Sequence, residues 1–423
     1  MNQTLVIAEK PSVAKSIATV LGAGNRKDGY LEGGGYLVSW CVGHLVELAD
    51  ASAYGEQYAK WAVSDLPILP EKWKYTVSPG TKKQFDLLKQ LMSRNDVEKL
   101  VCACDAGREG ELIFRLVYAQ ARCKKKMERL WISSMEDSAI REGFAHLRPS
   151  ADYDNLYQAA LCRARADWLV GINATRLFSC LYNRTLNIGR VMTPTLALIV
   201  KREAEIAAFK PVPFYTVVLA LPGFNASGER LEDEAQAKKV MEACAAAEAA
   251  TVKTVERKEK TEKPPALYDL TTLQREANRL LGFTAQQTLD YLQSLYEKKL
   301  TTYPRTDSRY LTSDMADSLP VLVNVAATAM PFASGVPISC DSGQVINNSK
   351  VSDHHAIIPT QGIKDADLSS LPAGERSLLH LIAARLLCAV GQPHAFAETA
   401  VLMECAGYPF KAKGRAVLHP GWK

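Results

Sequence analysis

The sequence lacks the patterns that mark several classes of protein. Its ten cysteines include no CxxC pair, and the nearest approach, Cys102 and Cys104, lies in an apolar run that predicts a strand. We therefore expect buried, reduced thiols and no zinc ribbon. No apolar stretch reaches the roughly 18–20 residues that cross a bilayer, because His380 and Arg385 interrupt the longest candidate. These absences favour a cytoplasmic protein without a membrane anchor.

Nucleotide-binding and export patterns are missing too. No GxxxxGK[ST] motif occurs, so chemistry driven by nucleotide hydrolysis has no visible site. Glu9 and Lys10 come too early for a signal peptide. The net charge of +5 permits a polyanionic partner but does not require one. With 423 residues, the chain predicts about three domains.

The first 150 residues alternate predicted strands with predicted helices. An apolar run at residues 5–8 predicts a strand, and the helix that follows ends at Gly22. A second apolar run at 100–104 leads through a glycine-bearing turn into a helix that reaches Ala121. Alternation of this kind indicates a parallel sheet with helices on both faces.

The remainder is mostly helical, with a strand-rich insertion. Helical patterns cover about 152–207 and resume from 273 to about 391. Between them, residues 214–221 and a segment near Thr251 predict strands, separated by an alanine-rich helix near Ala245. The mixed-charge stretch VERKEKTEKPP, which ends at Pro264 and Pro265, has the composition of a boundary between modules.

Acidic residues follow two of the predicted strands. Glu9 comes directly after the first and Asp105 after the second, and the carboxyl ends of parallel strands share one edge of a sheet. Two carboxylates that converge there repel each other unless a cation lies between them, and Mg²⁺ with few protein ligands suits that geometry. Glu109 and Glu111 open the next helix, where the helix dipole alone would also favour acidic residues.

A tryptophan between arginines marks the long helix. Arg165, Trp168, Ile172 and Arg176 are spaced three, four and four residues apart, so they lie on one stripe. A stripe of this kind suits stacking on bases and binding of phosphates. A half-buried tryptophan with arginines extended toward solvent gives the same pattern. In the NIGRVMTPTL segment that follows, Arg190 can reach a phosphate.

The segment KLTTYPRTDSRYL contains two tyrosines. A tyrosine, with a pKa of about 10, is a poor nucleophile at neutral pH unless cations stabilise the phenolate. Arg305, close behind Tyr303, can bind a phosphate oxygen and stabilise charge on a pentacovalent phosphorus. Tyr310, followed by Leu311, favours packing against a core. His354, in a polar loop, can donate a hydrogen bond or a proton to a phosphate nearby.

Seven segments, in order along the chain, resemble the motifs of type IA DNA topoisomerases, in particular those of the bacterial topoisomerase III branch. The resemblance runs from residue 5 to about 420, which is nearly the whole chain. Chance agreement of seven ordered motifs is negligible. The segments read VIAEKPSVAKSIA, DAGREGELIFR, RARADWLVGINATR, NIGRVMTPTL, KPPALYDLTTLQREA, KKLTTYPRTDSRYL and DHHAIIPT.

The resemblance implies an α/β Toprim domain, a parallel sheet flanked by helices, over residues 1–140. Helical and mixed α/β modules over 150–423 are then expected to form part of a toroidal type IA core, its central and catalytic region. These modules are a helical DNA-binding base (150–210), an arch or hinge segment (211–266), a helical domain with the nucleophilic tyrosine (267–395) and the start of a returning arch segment (396–423).

The resemblance also implies the residues of the reaction. Tyr303 is the expected nucleophile, with Glu9 and Lys10 beside the scissile phosphate and Arg305 and His354 near it. The expected ligands of Mg²⁺ are Glu9, Asp105 and Glu109. The expected contacts with single-stranded DNA are Trp61, Arg165, Trp168, Arg176, Asn187, Ile188, Gly189, Arg190, Val191, Met192, Thr193 and Arg305.

The implied activity is Mg²⁺-dependent cleavage of one DNA strand through a 5′-phosphotyrosine link, passage of another strand and rejoining. It relaxes negative supercoils and separates catenated duplexes. Because the ester keeps the energy of the bond, no ATP is needed and the missing nucleotide site is expected. The implied partner is DNA with single-stranded segments, and the implied enzyme is a cytoplasmic monomer that uses neither nucleotide nor membrane.

Two departures from the family pattern lead to further expectations. The family's acidic motif is Asp-x-Asp-x-Glu, and Gly107 stands here in place of the second acid, which predicts weaker metal binding. Family members continue well beyond Lys423, so a truncated member is expected. One alternative function is therefore a module that binds single-stranded DNA without full turnover. Another, a Toprim nuclease or primase, would not need the TYPRTDSRYL segment.

Overall fold

The computed structural model describes residues 2–133, 135–247, 249–352 and 354–423. Asp353, the first residue of the DHHAIIPT segment, lies outside the described residues. In the described part, no helix is long and apolar enough to cross a membrane. The chain divides into two compact units, one of Met1–Lys201, Tyr268–Met315 and Asn347–Ala383, the other of Arg202–Leu267, Ala316–Ile346 and Ala384–Lys423.

Helices and strands have the following bounds. The helices of the described ranges are α1 (Pro11–Leu21), α2 (Lys82–Ser93), α3 (Arg108–Gln120), α4 (Asp137–Ala145), α5 (Asp154–Tyr182), α6 (Met192–Ala207), α7 (Glu234–Ala245), α8 (Leu270–Leu281), α9 (Ala285–Glu297), α10 (Leu319–Ala329) and α11 (Ala373–Ala389). The strands are β1 (Gln3–Ala8), β2 (Asn25–Lys27), β3 (Tyr30–Gly33), β4 (Tyr36–Trp40), β5 (Val46–Leu48), β6 (Tyr75–Val77), β7 (Val97–Ala103), β8 (Lys126–Arg129), β9 (Arg148–Pro149), β10 (Tyr215–Leu221), β11 (Phe224–Leu231), β12 (Thr251–Glu262), β13 (His394–Cys405) and β14 (Tyr408–His419).

The first unit contains a seven-stranded sheet in the order β2-β3-β4-β1-β7-β8-β9. Its central strands β4, β1, β7 and β8 are parallel, as the sequence predicts. The outer pairs β2-β3, β3-β4 and β8-β9 are antiparallel, so the complete sheet is mixed. At the centre, Ala8 at the end of β1 lies opposite Ala103 at the end of β7. The residues that follow these two strands therefore emerge side by side.

Both faces of β1 are buried, which explains its uninterrupted apolar run. Leu5 and Ile7 pack into one hydrophobic cluster, and Val6 and Ala8 pack into a second. Successive side chains of a strand point to opposite faces, so a sheet covered on both sides selects apolar residues at every position. The predicted end of α1 is confirmed, because Gly22 adopts a left-handed φ of 73° and its N–H donates to carbonyls of the last turn.

The second unit contains a five-stranded sheet in the order β10-β11-β14-β13-β12, with antiparallel pairing throughout. Helix α7 contributes Val240 and Cys244 to a cluster with Met403 and Phe410 of the sheet. The mixed-charge stretch predicted as a module boundary is mostly the strand β12, exposed along its whole length at the edge of the sheet. Charged side chains on an edge strand discourage further pairing, and their composition resembles that of a linker.

The segment that carries the two tyrosines follows α9 and is not helical. A short antiparallel bridge pairs Thr301 with Pro359, and the N–H of Thr302 donates to the carbonyl of Ile358 over 3.0 Å. The N–H of Thr360 returns a bond of 3.0 Å to the carbonyl of Leu300. The tyrosine segment is thereby held against residues 356–360 of the first unit.

Candidate active site

Two carboxylates meet at the carboxyl edge of the seven-stranded sheet. Glu9 directly follows β1, Asp105 follows β7, and the N–H of Asp105 donates to Oε2 of Glu9 over 3.4 Å. Burial, and then the charge of Asp105, raise the pKa of Glu9 to about 7. Burial likewise raises the pKa of Asp105, although Lys10 opposes the shift. Both carboxyls are thus held where their ionised forms are costly.

Tyr303 lies against this pair of acids. Its hydroxyl donates to Oδ2 of Asp105 over 3.1 Å, and its own N–H donates to the carbonyl of Ser133 over 3.3 Å. Burial, followed by the charges of Asp105 and Glu9, raises the pKa of Tyr303 above its ordinary value. Arg305 acts in the opposite direction with a smaller effect. The sequence predicts stabilisation of the phenolate by cations, but burial and the two acids outweigh the effect of Arg305 on this pKa.

Cations and a neutral histidine complete the cavity. Lys10 and Arg305 line the same space of about 590 Å³ as Tyr303, and Lys10 lies 3.7 Å from the carboxylate of Glu297. The ring of His354 lies 4.1 Å from that of Tyr303, and its Nδ1 is hydrogen-bonded to the hydroxyl of Ser133 at 3.2 Å. Burial lowers the pKa of His354 to about 4, so this imidazole is neutral at pH 7.

Tyr310 lies elsewhere. Its hydroxyl accepts a hydrogen bond of 3.2 Å from Lys350, whose ammonium lies 4.6 Å from the centre of its ring. It does not line the cavity that contains Tyr303. Of the two tyrosines in the segment, Tyr303 is the one beside the acids.

The residues at the strand ends suit a divalent cation. Glu9 and Asp105 offer hard oxygen donors. A cation would stabilise both ionised carboxylates, and so oppose the burial that raises both pKa values and the repulsion that raises the pKa of Glu9. Glu109, the third predicted ligand, lines the cavity but is ion-paired with Arg163, and its other oxygen lies 3.4 Å from Nε2 of His44. Among the described residues, no group of three or more histidine, cysteine, aspartate or glutamate side chains is arranged to hold a metal ion.

The predicted stripe on α5 packs inward. The indole N–H of Trp168 donates to the carbonyl of Ala49 over 2.9 Å, and its ring meets that of Trp73 edge-on at 5.5 Å. The guanidinium of Arg165 lies 5.3 Å from the centre of the Trp73 ring. This placement matches the half-buried tryptophan of the alternative interpretation.

Other predicted DNA contacts line a second cleft of about 530 Å³, which includes Trp61, Arg176, Asn187 and Ile188. Arg176 is only 4% exposed, donates to the carbonyl of Tyr58 over 2.7 Å, and lies 5.5 Å from the centre of the Trp61 ring. Trp61 itself is 45% exposed. Trp61 therefore forms part of the accessible surface of this cleft, and the buried guanidinium of Arg176 packs against its ring.

The loop over residues 187–193 leads into α6. Arg190 forms an ion pair of 2.5 Å with Asp167, and the N–H of Gly189 donates to the hydroxyl of Thr193 over 3.1 Å. Val191 and Met192 are exposed. A phosphate at this position would compete with the Asp167 carboxylate for the Arg190 guanidinium.

Comparison with known proteins identifies the family. The sequence pattern of the Toprim domain matches residues 4–135, and that of the family described as DNA topoisomerase matches residues 151–423. DNA topoisomerase 3 of Bacillus subtilis (strain 168) is 45% identical over 437 residues, covering 100% of this chain and 59% of the relative. The chain belongs to the type IA DNA topoisomerases.

Further comparisons agree with this assignment. DNA topoisomerase 3 of Bacillus licheniformis is 43% identical, again over 100% of this chain and 59% of the relative. The structure of full-length topoisomerase I from Thermotoga maritima superposes with a TM-score of 0.76 at 23% identity, covering 99% of this chain and 66% of that one. The type IA fold expected from the sequence is confirmed. The chain spans 59% of the length of these two topoisomerase 3 relatives.

Sequence reasoning missed the residue that holds the Asp105 turn of this topoisomerase. Arg129 is fully buried and donates to the carbonyls of Cys104 and Asp105 over 2.6 and 2.7 Å. Its Nε lies 3.1 Å from the buried carboxylate of Glu111, which also pairs with Arg115 at 2.8 Å. Nothing in the MERLW segment around Arg129 signals this role, because these partners lie in the turn after β7 and in α3.

Glycine at position 110 is required by the same turn. A Cβ there would lie 2.1 Å from the carbonyl oxygen of Asp105, closer than any side chain tolerates. At Gly107, by contrast, a Cβ would meet nothing within 4 Å. The missing second acid of the motif is therefore not excluded by space.

Proposed function

We propose that this chain carries out the transient DNA cleavage of a type IA topoisomerase, with Tyr303 as the nucleophile. The observation that carries the proposal is the hydrogen bond of 3.1 Å from the Tyr303 hydroxyl to Asp105, in the cavity that also contains Glu9, Lys10 and Arg305. The names of the relatives, DNA topoisomerase 3, support the same reaction.

Side chains of this cavity can supply both the proton acceptor and the proton donor of the proposed cleavage step. The Tyr303 oxygen forms a bond to phosphorus while its proton passes to Asp105, the acceptor of its hydrogen bond. The bond from phosphorus to the 3′ oxygen breaks, and the leaving oxygen takes a proton from Glu9. Before a cation binds, the pKa of Glu9 is raised to about 7, so a large fraction of this carboxyl is protonated near neutral pH and can donate. The reverse sequence reseals the strand, so no ATP is consumed.

Positive charge stabilises the pentacovalent phosphorus in this scheme. Arg305 is exposed to the cavity and can bind a phosphate oxygen through two N–H groups, while Lys10 adds a point charge. His354, neutral at pH 7, is suited to orient Tyr303 and donate a hydrogen bond rather than to supply charge.

A divalent cation, which we propose is Mg²⁺, would be held by Glu9 and Asp105, with Glu109 nearby. When bound it would neutralise carboxylate charge and stabilise negative charge on phosphate oxygens. The proposed substrate is DNA with single-stranded segments in negatively supercoiled or catenated duplexes, and the proposed state is a monomer in the cytoplasm. We further propose that bases stack on exposed Trp61.

Covalent capture tests the nucleophile. The chain is incubated with a 5′-labelled and, separately, a 3′-labelled single-stranded oligonucleotide, denatured and resolved on a gel. We expect the 3′-labelled fragment to remain attached to protein, and Tyr303→Phe to abolish the adduct with DNA affinity retained. Tyr310→Phe is the matched control and should form the adduct normally. Adduct formation by Tyr303→Phe and not by Tyr310→Phe would show that the assignment is wrong.

A second candidate function is binding of single-stranded DNA without full turnover, which the exposed Trp61 in its cleft supports. Relaxation of a negatively supercoiled plasmid separates the two functions. Adduct formation without relaxation would support the binding and cleavage module. Cleavage that leaves no protein attached would support a Toprim nuclease instead.

A further inference from the structure

Arg163 and Glu109 form an ion pair at the lining of the cavity. Glu109 lies in the first turn of α3, just after the Asp105 turn, and Arg163 projects from α5. The side chains are 43% and 34% exposed, and both line the cavity of Glu9 and Tyr303. His44 lies 3.4 Å from the second oxygen of Glu109, so both oxygens of this carboxylate face nitrogen groups. The Glu109 side chain is therefore accessible to solvent, but both oxygens of its carboxylate already face side chains of the protein.

We propose that the ion pair with Arg163 keeps Glu109 from binding the metal until a DNA phosphate replaces Glu109 on the Arg163 guanidinium. A phosphate in the cavity competes with Glu109 for the guanidinium of Arg163, and the released carboxylate joins Glu9 and Asp105 around a divalent cation. DNA and the cation therefore bind cooperatively. This inference rests on the proposed function, since it assumes that DNA enters this cavity.

The chemistry of the three groups favours such an exchange. A guanidinium binds phosphate with two parallel N–H donors as well as it binds a carboxylate, and phosphate carries a comparable charge. The pair is solvent-accessible, so breaking it does not strand a buried charge, and exposed pairs are weakly held. Glu9 and Asp105 alone give a divalent ion few protein ligands, and a third carboxylate adds both a ligand and an attraction. Coupling is reciprocal, so the cation must also tighten DNA binding.

Binding of Mn²⁺, followed by electron paramagnetic resonance, measures the coupling directly. The full chain with Tyr303→Phe is titrated with Mn²⁺ alone and with a saturating single-stranded oligonucleotide, and the Mn²⁺ bound by the oligonucleotide alone is subtracted. We expect DNA to lower the dissociation constant for Mn²⁺ on the order of tenfold. Arg163→Met should bind Mn²⁺ more tightly without DNA and show a clearly smaller coupling factor than the parent protein.

A cycle with Glu109→Gln separates the exchange from a simple change of charge. If Arg163 acts by holding Glu109, Arg163→Met raises the affinity for Mn²⁺ only where Glu109 is present. An equal increase in the chain that also carries Glu109→Gln would overturn the proposal, because it would reflect charge alone. A coupling factor in Arg163→Met equal to that of the parent protein would overturn it as well.

Covalent capture keeps the two proposals apart. The Mn²⁺ measurement uses protein without the Tyr303 hydroxyl and does not depend on cleavage. If Tyr303→Phe binds Mn²⁺ and DNA cooperatively but the parent chain forms no adduct, the proposed function is refuted and the exchange is not. Adduct formation by the parent chain with no effect of DNA on Mn²⁺ binding would refute the exchange alone.

Discussion

Glu9→Gln should stabilise the folded chain above neutral pH. In the folded protein the pKa of Glu9 is raised from 4.5 to about 7, mainly by burial and then by Asp105. Below about pH 4.5 the carboxyl is protonated in both states and contributes nothing. As the pH rises toward 7, the unfolded chain gives up the proton first, so the folded state loses stability. Well above pH 7 the carboxyl is ionised in both states, and the folded state is destabilised by the full amount.

The size of that cost follows from the two pKa values. One pKa unit corresponds to about 1.36 kcal/mol, so a rise from 4.5 to about 7 costs the folded state about 3 kcal/mol. Glutamine has the shape of the acid without its charge. We expect it to recover most of this amount at pH 8 and almost none at pH 4.5.

Urea unfolding followed by tryptophan fluorescence is the appropriate assay. Of the six tryptophans, Trp422 alone belongs to the second unit, so the signal reports on the unit that contains Glu9. Glu71→Gln, at an exposed position, is the control and should leave the pH dependence of the unfolding free energy unchanged. At pH 8, millimolar Mg²⁺ should stabilise the parent chain more than Glu9→Gln. Parallel stability curves for Glu9→Gln and the parent from pH 4.5 to 8 would refute the reasoning.

Three further substitutions test the site, and a fourth tests the acidic motif. Arg129→Met, which leaves the buried Glu111 with one partner fewer, should cost about 3–5 kcal/mol in urea unfolding, and a loss below about 1 kcal/mol would contradict a structural role. Trp61→Ala should weaken binding of single-stranded DNA by about 1–3 kcal/mol in fluorescence anisotropy. Arg176→Ala should weaken the same binding with little change in its salt dependence, because this guanidinium is buried; a slope lower by about one would instead indicate a phosphate contact. Gly107→Asp should fold normally and lower the Mg²⁺ concentration needed to rejoin a pre-cleaved oligonucleotide, whereas identical midpoints would mean that position 107 does not face the metal.

The sequence by itself determined the elements that depend on neighbouring residues. The apolar run of β1 and the glycine that ends α1 are local signals, since strand period and left-handed backbone are properties of a few consecutive residues. The resemblance of KKLTTYPRTDSRYL to a family motif likewise predicts Tyr303 rather than Tyr310 as the nucleophile. Composition predicted a boundary at VERKEKTEKPP, and a segment of the second unit does end just beyond it, at Leu267. The length of β12 is not a local signal, because its partner, β13, lies more than a hundred residues away along the chain.

Only the tertiary structure decided the state of the groups in the cavity. Tyr303 and Asp105 are 198 residues apart in the chain, and their hydrogen bond exists because the tyrosine segment is pinned beside the carboxyl edge of the sheet. The raised pKa of Glu9 depends on burial and on a charge from another strand, which no local pattern encodes. The same holds for Glu109, which the family resemblance predicts to be a metal ligand and which is ion-paired with Arg163 of α5. Local sequence specifies which groups are present, and the packing of distant segments sets their distances, their solvation and therefore their charge.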